Sequence, residues 1–293
     1  MLRKLKNSMI LMISAFLVTG CVNQNAESKE DLKIAATSVA VTEVLSALEV
    51  PADQVVGIPS SDTYTIPSEY KDATSLGTAM SPDMEKLANL KPTLILSPNS
   101  LEGDLAEKYE KLNITSSFLN LKSVAGMYKS IEELGTIVGK EEQAEKLVNE
   151  FVDYMSAYRK EHQDKASPKV LILMGLPGSY VVATESSYVG DLVKLAGGTN
   201  VYSDGDGEDF VNVNPEDMLK KNPDIILRTS HAMPEQVAKM FAEEFEDNDI
   251  WSKFTAVKNK KVVDLDYNNF GMSANLNYQK ALKELEGILY DAD

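Results

Sequence analysis

Residue types and motifs that often mark enzymes are scarce in this chain of 293 residues. It has one cysteine and two histidines, so it can form neither an internal disulfide nor a zinc site built from several histidines. It also lacks a G-x-S-x-G elbow, a P-loop and a G-x-G-x-x-G sequence. These absences argue against a hydrolase or a nucleotide-binding protein and make an enzyme the weaker expectation.

Basic side chains are in deficit as well. The chain has 29 lysines and arginines against 45 aspartates and glutamates, which gives a formal net charge of −16. A protein that binds nucleic acid needs a positive face, so we expect no nucleic-acid partner. No apolar run reaches the roughly 20 residues that a membrane-spanning helix requires.

The N-terminus carries the clearest positive signal. Arg3, Lys4 and Lys6 precede an apolar run over 9–18, a pattern typical of a signal peptide. The run ends in Val-Thr-Gly-Cys, which resembles the lipobox of bacterial lipoproteins, with Cys21 as the acylated residue.

This pattern predicts where the mature protein is located. Residues 1–20 would be the signal peptide, and 21–31 the lipidated cysteine with a polar, flexible tether. Two acyl chains suffice for stable anchoring. We therefore expect the protein on the extracellular face of the cell membrane, of the Gram-positive type.

Beyond the tether, short apolar segments alternate with helical patterns, which predicts an α/β fold. Strands are expected at 32–36, 55–58, 93–97, 169–174, 224–227 and 261–265. Helices are expected at 39–48 with Thr37 or Ser38 as N-cap, at 81–90 with Ser81 as N-cap, at 189–196, from 215, from 234, and at 277–290.

The middle of the chain differs from its flanks. Residues 141–161 contain neither glycine nor proline and predict one long helix, and Gly126, Gly135 and Gly139 are expected to break the segment before it. We predict two Rossmann-like α/β lobes joined by this single long helix, with a ligand cleft between the lobes. The predicted bounds are 32–140 for the N-terminal lobe, 141–166 for the connecting helix and 167–293 for the C-terminal lobe.

An internal similarity links the two lobes. When Pro92 is matched to Pro223, the surrounding helix–strand segments align, and Glu85 and Glu216 fall at the same offset before the proline. The identities are few, so chance remains an alternative explanation.

Only a few side chains are candidates for binding a metal. His231 follows a predicted strand and precedes a helix that starts with proline, a place where α/β proteins bind ligands. His162, at the end of the long helix, is interpreted as a solvated histidine. Met80 lies just outside a helix N-terminus in the first lobe, with Met233 and Met272 as rivals from the second lobe.

Several stretches resemble the haem-binding lipoproteins of ABC importers, within the long-helix class of substrate-binding proteins that serves siderophores, cobalamin and haem. They are KVLILMGLPGSY (169–180), YVGDLVKLAGGTN (188–200), NPDIILR (222–228), HAMPE (231–235) and NDIW (248–251). The resemblance covers the chain from about residue 32 to its end and is thinner in the first lobe.

The resemblance implies a specific site and specific partners. Met80 and His231 match the axial ligands of the haem iron, and the transported ligand would be haem b (iron protoporphyrin IX). The backbone amides of Ser38, Val39, Ala40 and Val41 and the Tyr64 hydroxyl would hold the propionates. Glu85 and Glu216 would contact an ABC permease, and upstream haem-donor proteins and a monomeric state are expected.

Two other functions stay open at this point. One is a receptor of the same importer class for a ferric siderophore, although anionic catecholate chelates favour clustered cations and the only arginines are Arg3, Arg159 and Arg228. The other is an exported enzyme, which the missing catalytic constellation disfavours.

Overall fold

The computed structural model describes residues 32–203 and 207–290. The predicted signal peptide, Cys21 and the tether lie outside the described residues. Within these two ranges, no helix combines the length and the apolar character needed to cross a bilayer.

The described residues form an alternating α/β chain. The helices are α1 (Val39–Ala47), α2 (Met84–Leu90), α3 (Glu102–Lys111), α4 (Val124–Val138), α5 (Glu141–His162), α6 (Tyr188–Leu195), α7 (Pro215–Lys221), α8 (Pro234–Asp247), α9 (Thr255–Lys258) and α10 (Tyr278–Tyr290). The strands are β1 (Ile34–Ala36), β2 (Val55–Ile58), β3 (Thr74–Ser75), β4 (Gly77–Thr78), β5 (Ser81–Pro82), β6 (Leu94–Pro98), β7 (Ser116–Leu119), β8 (Lys169–Leu176), β9 (Ser179–Ala183), β10 (Thr199–Asn200), β11 (Phe210–Val211), β12 (Ile225–Ser230) and β13 (Val262–Asp264).

The first lobe is built on a parallel sheet. Its strand order is β3-β2-β1-β6-β7, and every neighbouring pair in it is parallel. β1 lies at the centre, and its three residues Ile34–Ala36 are fully buried. Helices that follow neighbouring parallel strands start at the same edge of the sheet, so α1 begins where ligands of such folds bind.

The second lobe has a mixed sheet in the order β11-β9-β8-β12-β13. β8 pairs with β12 in parallel and with β9 in an antiparallel hairpin. Gly178 forms the hairpin turn with φ of 79°, a left-handed conformation that glycine adopts without a steric penalty. The predicted α/β fold is confirmed, but the strands β3, β4, β5, β7, β9, β10 and β11 and the helices α3 and α9 were not predicted.

A helical hairpin joins the two sheets. α4 ends at Gly139, which has φ of 69°, whereas Gly126 and Gly135 lie inside α4, so the prediction that they break the helix is wrong. Both glycines occupy tight packing positions: a Cβ on Gly135 would lie 2.5 Å from Cβ of Ala144 in α5. The long helix itself is confirmed as α5, whose 22 residues span about 33 Å.

The long helix contacts both lobes. Near its start, Gln143 Nε2 donates a hydrogen bond to the Ala47 carbonyl at the end of α1 (2.9 Å). Near its end, the Tyr158 hydroxyl donates to the Leu282 carbonyl in α10 (3.4 Å). α5 therefore acts as a brace between the lobes.

The interpretation of His162 as a solvated histidine is wrong. Its side chain is only 6% exposed, because it stacks on Tyr158 at a centroid distance of 4.1 Å and packs beside Tyr290. Its Nε2 lies 3.0 Å from Oε1 of Glu286 in α10. His162 therefore helps to attach the long helix to the last helix of the chain.

Polar contacts close to the start of α4 also connect the lobes. Asp191 Oδ2 in α6 accepts a hydrogen bond from the Val124 amide at the first turn of α4 (2.8 Å). Lys122 Nζ lies 2.9 Å from Asp209 Oδ2. Together with the brace, these contacts hold the two sheets in a defined relation.

The internal similarity corresponds to a repeated structural unit. α2 and α7 each have seven residues, with Asp83 and Asn214 as N-caps that lie at the same offset before the matched prolines. Each helix ends in a left-handed residue, Lys91 or Asn222, and leads into a buried strand. Ser81, predicted as the first N-cap, instead lies in β5, because the Asp83 carboxylate caps the helix.

The packing of Gly135 predicts a stability difference between two glycines that both lie in helices. We expect Gly135→Ala to lower the free energy of unfolding by about 1–3 kcal/mol, because the new methyl group collides with α5. Gly103→Ala in α3 is the matched control, since nothing lies within 4 Å of its added Cβ. It should raise the free energy of unfolding by up to about 1 kcal/mol. Urea denaturation measures both, and equal effects would contradict the proposed packing role.

Candidate ligand-binding cleft

A cavity of about 190 Å³ opens between the two lobes. The first lobe contributes Ser38, Val39, Ala40, Glu43, Pro59, Ser60, Ser61, Tyr64 and Ala79, and the second contributes His231, Asn268, Gly271, Met272, Ser273 and Asn275. Only a ligand that contacts both lobes can fill it.

The N-terminus of α1 forms one wall. The preceding residue, Thr37, is fixed by hydrogen bonds to Leu96 and Ser97 of β6, which hold the helix start against the sheet edge. Ser38, one of the two predicted candidates, is the N-cap, and its hydroxyl accepts a hydrogen bond from the Val41 amide at 3.3 Å. Helix geometry leaves the first amides without intrahelical acceptors, so the wall presents donors and the positive end of the helix dipole.

The four predicted amide donors are therefore not equivalent. Ser38, Val39 and Ala40 line the cavity, and their amides donate to no acceptor among the described residues. Val41 does not line the cavity, because its side chain is fully buried in the core. Its amide already donates a hydrogen bond to the Ser38 hydroxyl. Three amides of the predicted set thus face the cleft with free donors, in the arrangement that favours an anion at a helix N-terminus.

His231 lies on the opposite wall. It follows β12 directly, and its amide donates to the Gly175 carbonyl of β8 (3.0 Å), which fixes the backbone at the end of the sheet. Burial lowers the pKa of the imidazole below its usual 6.5, because desolvation disfavours the charged form. The ring is therefore neutral at pH 7, with a nitrogen lone pair available for a metal.

Tyr64 reaches across the cleft. Its hydroxyl lies 3.4 Å from the Tyr267 carbonyl of the second lobe, and the two rings meet edge to face at 6.2 Å. Burial, followed by the influence of Tyr267, Glu43 and Asp266, raises the pKa of the Tyr64 hydroxyl to about 12. The hydroxyl thus stays protonated, and its one proton is donated to the Tyr267 carbonyl, so an anion would have to replace that long contact to receive it. Gly271 permits this position, since a Cβ there would lie 2.9 Å from the Tyr64 oxygen.

The candidate methionines lie near the mouth of the cleft. Met80 occupies the turn of the hairpin formed by β4 and β5, beside Ala79, which lines the cavity. Met80 itself is 68% exposed and does not belong to the lining. Met272 lines the cavity, whereas Met233 is half exposed and lines an adjoining pocket with Tyr267.

Several lining residues were not predicted. Glu43 is the one charged residue of α1, and its cleft position could have been inferred from its place on the helical face of Ala40. Asn268, Gly271, Ser273 and Asn275 lie in the loop before α10. Such loops have no hydrophobic periodicity, so the sequence offered no signal for them.

Glu85 and Glu216 lie away from the cavity. Both carboxylates belong to exposed residues, each the second residue of its helix in the repeated unit. The structure therefore presents one matched acid on the surface of each lobe.

The chemistry of the cleft favours an anion that carries a metal. It offers backbone amides, a tyrosine hydroxyl and a neutral imidazole, and none of the described residues that line it is lysine or arginine. No group of three or more His, Cys, Asp or Glu within residues 32–203 and 207–290 could hold a bare metal ion.

Comparison with known proteins finds one family model and several relatives that match most of the chain. The model of the family described as periplasmic binding protein matches residues 34–268. The high-affinity heme uptake system protein IsdE of Staphylococcus aureus (strain Newman) is 42% identical over 299 aligned positions, which cover 99% of each chain.

Solved structures give the same result. The crystal structure of S. aureus IsdE complexed with haem has a TM-score of 0.83 and 43% identity, and covers 88% of this chain and 99% of its own. An ABC transporter substrate-binding protein from Listeria monocytogenes EGD-e has a TM-score of 0.82 and 46% identity, and covers 89% and 99%. The predicted two-lobe fold is thereby confirmed.

The burial of His231 predicts a measurable titration. Because the chain has only two histidines, ¹⁵N NMR of the imidazoles can resolve both, and His231→Ala assigns the signals. We expect His231 to titrate below pH 6.5, since desolvation disfavours its cation. A midpoint above 6.5 would contradict the neutral imidazole inferred for the cleft.

Proposed function

The chain belongs to the periplasmic binding protein family, and we propose that it is the haem-binding receptor of an ABC importer, which delivers haem for iron acquisition. The observation that carries the proposal is the similarity to IsdE along the whole chain, combined with a cleft that places His231 on one wall. Haem is cargo here, and the proposal assigns no catalytic step to the protein.

We propose His231 and Met80 as the two axial ligands of the haem iron. A neutral imidazole and a thioether form an established axial pair for haem. Support for His231 comes from its neutral ring in the cleft, and support for Met80 from its hairpin in the opposite lobe. The Met80 side chain is 68% exposed, so few packing contacts fix its conformation.

The propionates would bind at the N-terminus of α1. Their negative charges suit the free amides of Ser38, Val39 and Ala40 and the protonated Tyr64 hydroxyl. An acidic protein without a cationic lining needs such fixed dipoles to hold an anion. The same lack of lysine and arginine in the lining argues against an anionic ferric catecholate as the ligand.

A haem titration tests the proposed function. Wild-type protein should give a red-shifted Soret band and a six-coordinate spectrum with a stoichiometry of about one haem per chain. His231→Ala and Met80→Ala should each lose the six-coordinate spectrum, because one axial bond is removed.

Matched variants make the assignment specific. Met233→Ala and Met272→Ala remove the rival thioethers, and His162→Ala removes the other imidazole, so these three should keep the wild-type spectrum. If Met272→Ala changed the spectrum and Met80→Ala did not, Met272 would be the ligand. If wild-type protein bound no haem, the proposed function would be wrong.

Delivery requires an attachment to the membrane and a contact with the permease. We propose that Cys21 is acylated and that the tether over 21–31 keeps the cleft near the bilayer, an inference supported by the lipobox-like sequence. We further propose that Glu85 and Glu216 contact basic residues of the permease. Their exposure and their matched positions in the repeated unit support a partner with two similar halves.

Charge reversal at both acids predicts a defect in delivery alone. The Glu85→Lys/Glu216→Lys double variant should bind haem normally, since both residues lie outside the cleft. It should nevertheless fail to support haem-dependent growth of a Gram-positive strain in which this chain replaces the resident haem receptor, because like charges repel at the permease surface.

Two controls separate the causes. Glu107→Lys/Glu243→Lys makes the same charge change at other exposed acids, and should support growth. Cys21→Ala should appear in the medium instead of the membrane fraction. Normal growth of the Glu85→Lys/Glu216→Lys strain would contradict the proposed contacts, and membrane retention of Cys21→Ala would contradict the lipid anchor.

A further inference from the structure

Glu43 is an unexplained feature of the cleft. It is the only carboxylic acid among the described residues that line the cavity, which it shares with Tyr64 and with the first residues of its own helix, α1. Its side chain forms no hydrogen bond or ion pair with any other residue in the ranges 32–203 and 207–290. An acid would be expected to repel an anionic ligand, so its presence needs a physical account.

We propose that Glu43 is a propionate-binding residue that takes up one proton from solvent when haem enters the cleft, and then donates a hydrogen bond to a propionate. This inference rests on the proposed function and adds a residue and a proton to it. The protonated carboxyl has one donor, which matches the acceptor-only chemistry of a propionate.

The geometry brings like charges together. Glu43 follows Val39 by four residues, so it lies roughly 6 Å along the helix axis from the Val39 amide. A propionate held by the amides of Val39 and Ala40 would therefore approach the Glu43 carboxyl. Two carboxylates that share one site cannot both ionise readily, and one of them takes a proton.

The surroundings of Glu43 offer little to stabilise its anion. Burial already raises the pKa of Glu43 above its usual value in the free protein. The titratable groups that face it are the hydroxyls of Tyr64 and Tyr188, and burial keeps both protonated and neutral. His231 on the far wall is neutral as well, so no cation in the described lining offsets a third negative charge.

Haem affinity should therefore depend on pH through Glu43. Between the pKa of Glu43 in the free protein and its higher pKa in the haem complex, binding adds a proton, so affinity falls as pH rises, by up to about tenfold per pH unit. Below the pKa in the free protein the acid is already protonated and the dependence disappears. Glu43→Gln mimics the protonated acid, so its affinity should match wild type at low pH and exceed it at high pH.

Proton uptake can be measured directly by isothermal titration calorimetry of haem binding at pH 7.5. Buffers of different ionisation enthalpy, phosphate and Tris, give the number of protons taken up from the difference in heat. We expect wild type to take up close to one proton more than Glu43→Gln, a difference in which any contribution from His231 cancels. Glu102→Gln, the same change at an exposed acid of the first lobe, should behave as wild type.

Haem dimethyl ester is a second probe. Its propionates carry no charge, so the wild-type protein should bind it without proton uptake. Glu43→Ala replaces Glu43→Gln if the glutamine variant does not fold, because it also removes the titrating group.

The outcomes distinguish this inference from the function on which it rests. Equal proton uptake by wild type and the Glu43 variants would overturn the role of Glu43, and so would equal uptake with haem and its dimethyl ester. Either result would leave the haem receptor intact. An absence of haem binding by wild type would instead contradict the proposed function itself.

Discussion

The fixed separation of the two lobes is the constraint on which the binding cleft depends. Its walls come from distant parts of the chain, the start of α1 and the end of β12, and neither wall alone encloses a ligand. The α5 brace, the packing of Gly135 against Ala144 and the hydrogen bond from the Val124 amide to Asp191 connect the two lobes that carry these walls. A rigid planar ligand with one binding group for each wall suits such a scaffold, because its affinity does not require a large closing motion.

Electrostatics imposes a second constraint, because the protein and its proposed ligand are both anionic. The global field of a chain with net charge −16 opposes the approach of another anion. Local dipoles at the α1 N-terminus and neutral donors act at short range, where they outweigh that field. The proposed protonation of Glu43 has the same effect, since it removes a negative charge next to the bound propionate, where repulsion would be largest.

Most of the fold could be predicted from regular patterns in the sequence, whereas irregular segments gave no usable signal. The apolar runs of β1, β8 and β12 and the glycine-free α5 were correctly predicted, because burial and helical periodicity leave direct signals. β9 was missed because its pairing depends on a hairpin turn at Gly178, and the burial of His162 was missed because α10 packs over it.

The residues of the candidate site were likewise predictable only where they belong to regular elements. His231 stood out by its place after a strand, and Ser38 by its capping role, whereas the loop before α10 carried no pattern at all. Glu43 was overlooked for a different reason: a single acid in an apolar helix is usually solvated, and only the packing of the second lobe makes it part of a cavity.

The repeated unit has a consequence for the history of the molecule. The N-cap, the left-handed end residue and the following strand keep identical spacing in α2–β6 and α7–β12, although few side chains agree. If both units descend from one ancestral half, they have diverged by substitution alone, without insertion or deletion. Backbone geometry in these two units has then been preserved more strictly than sequence.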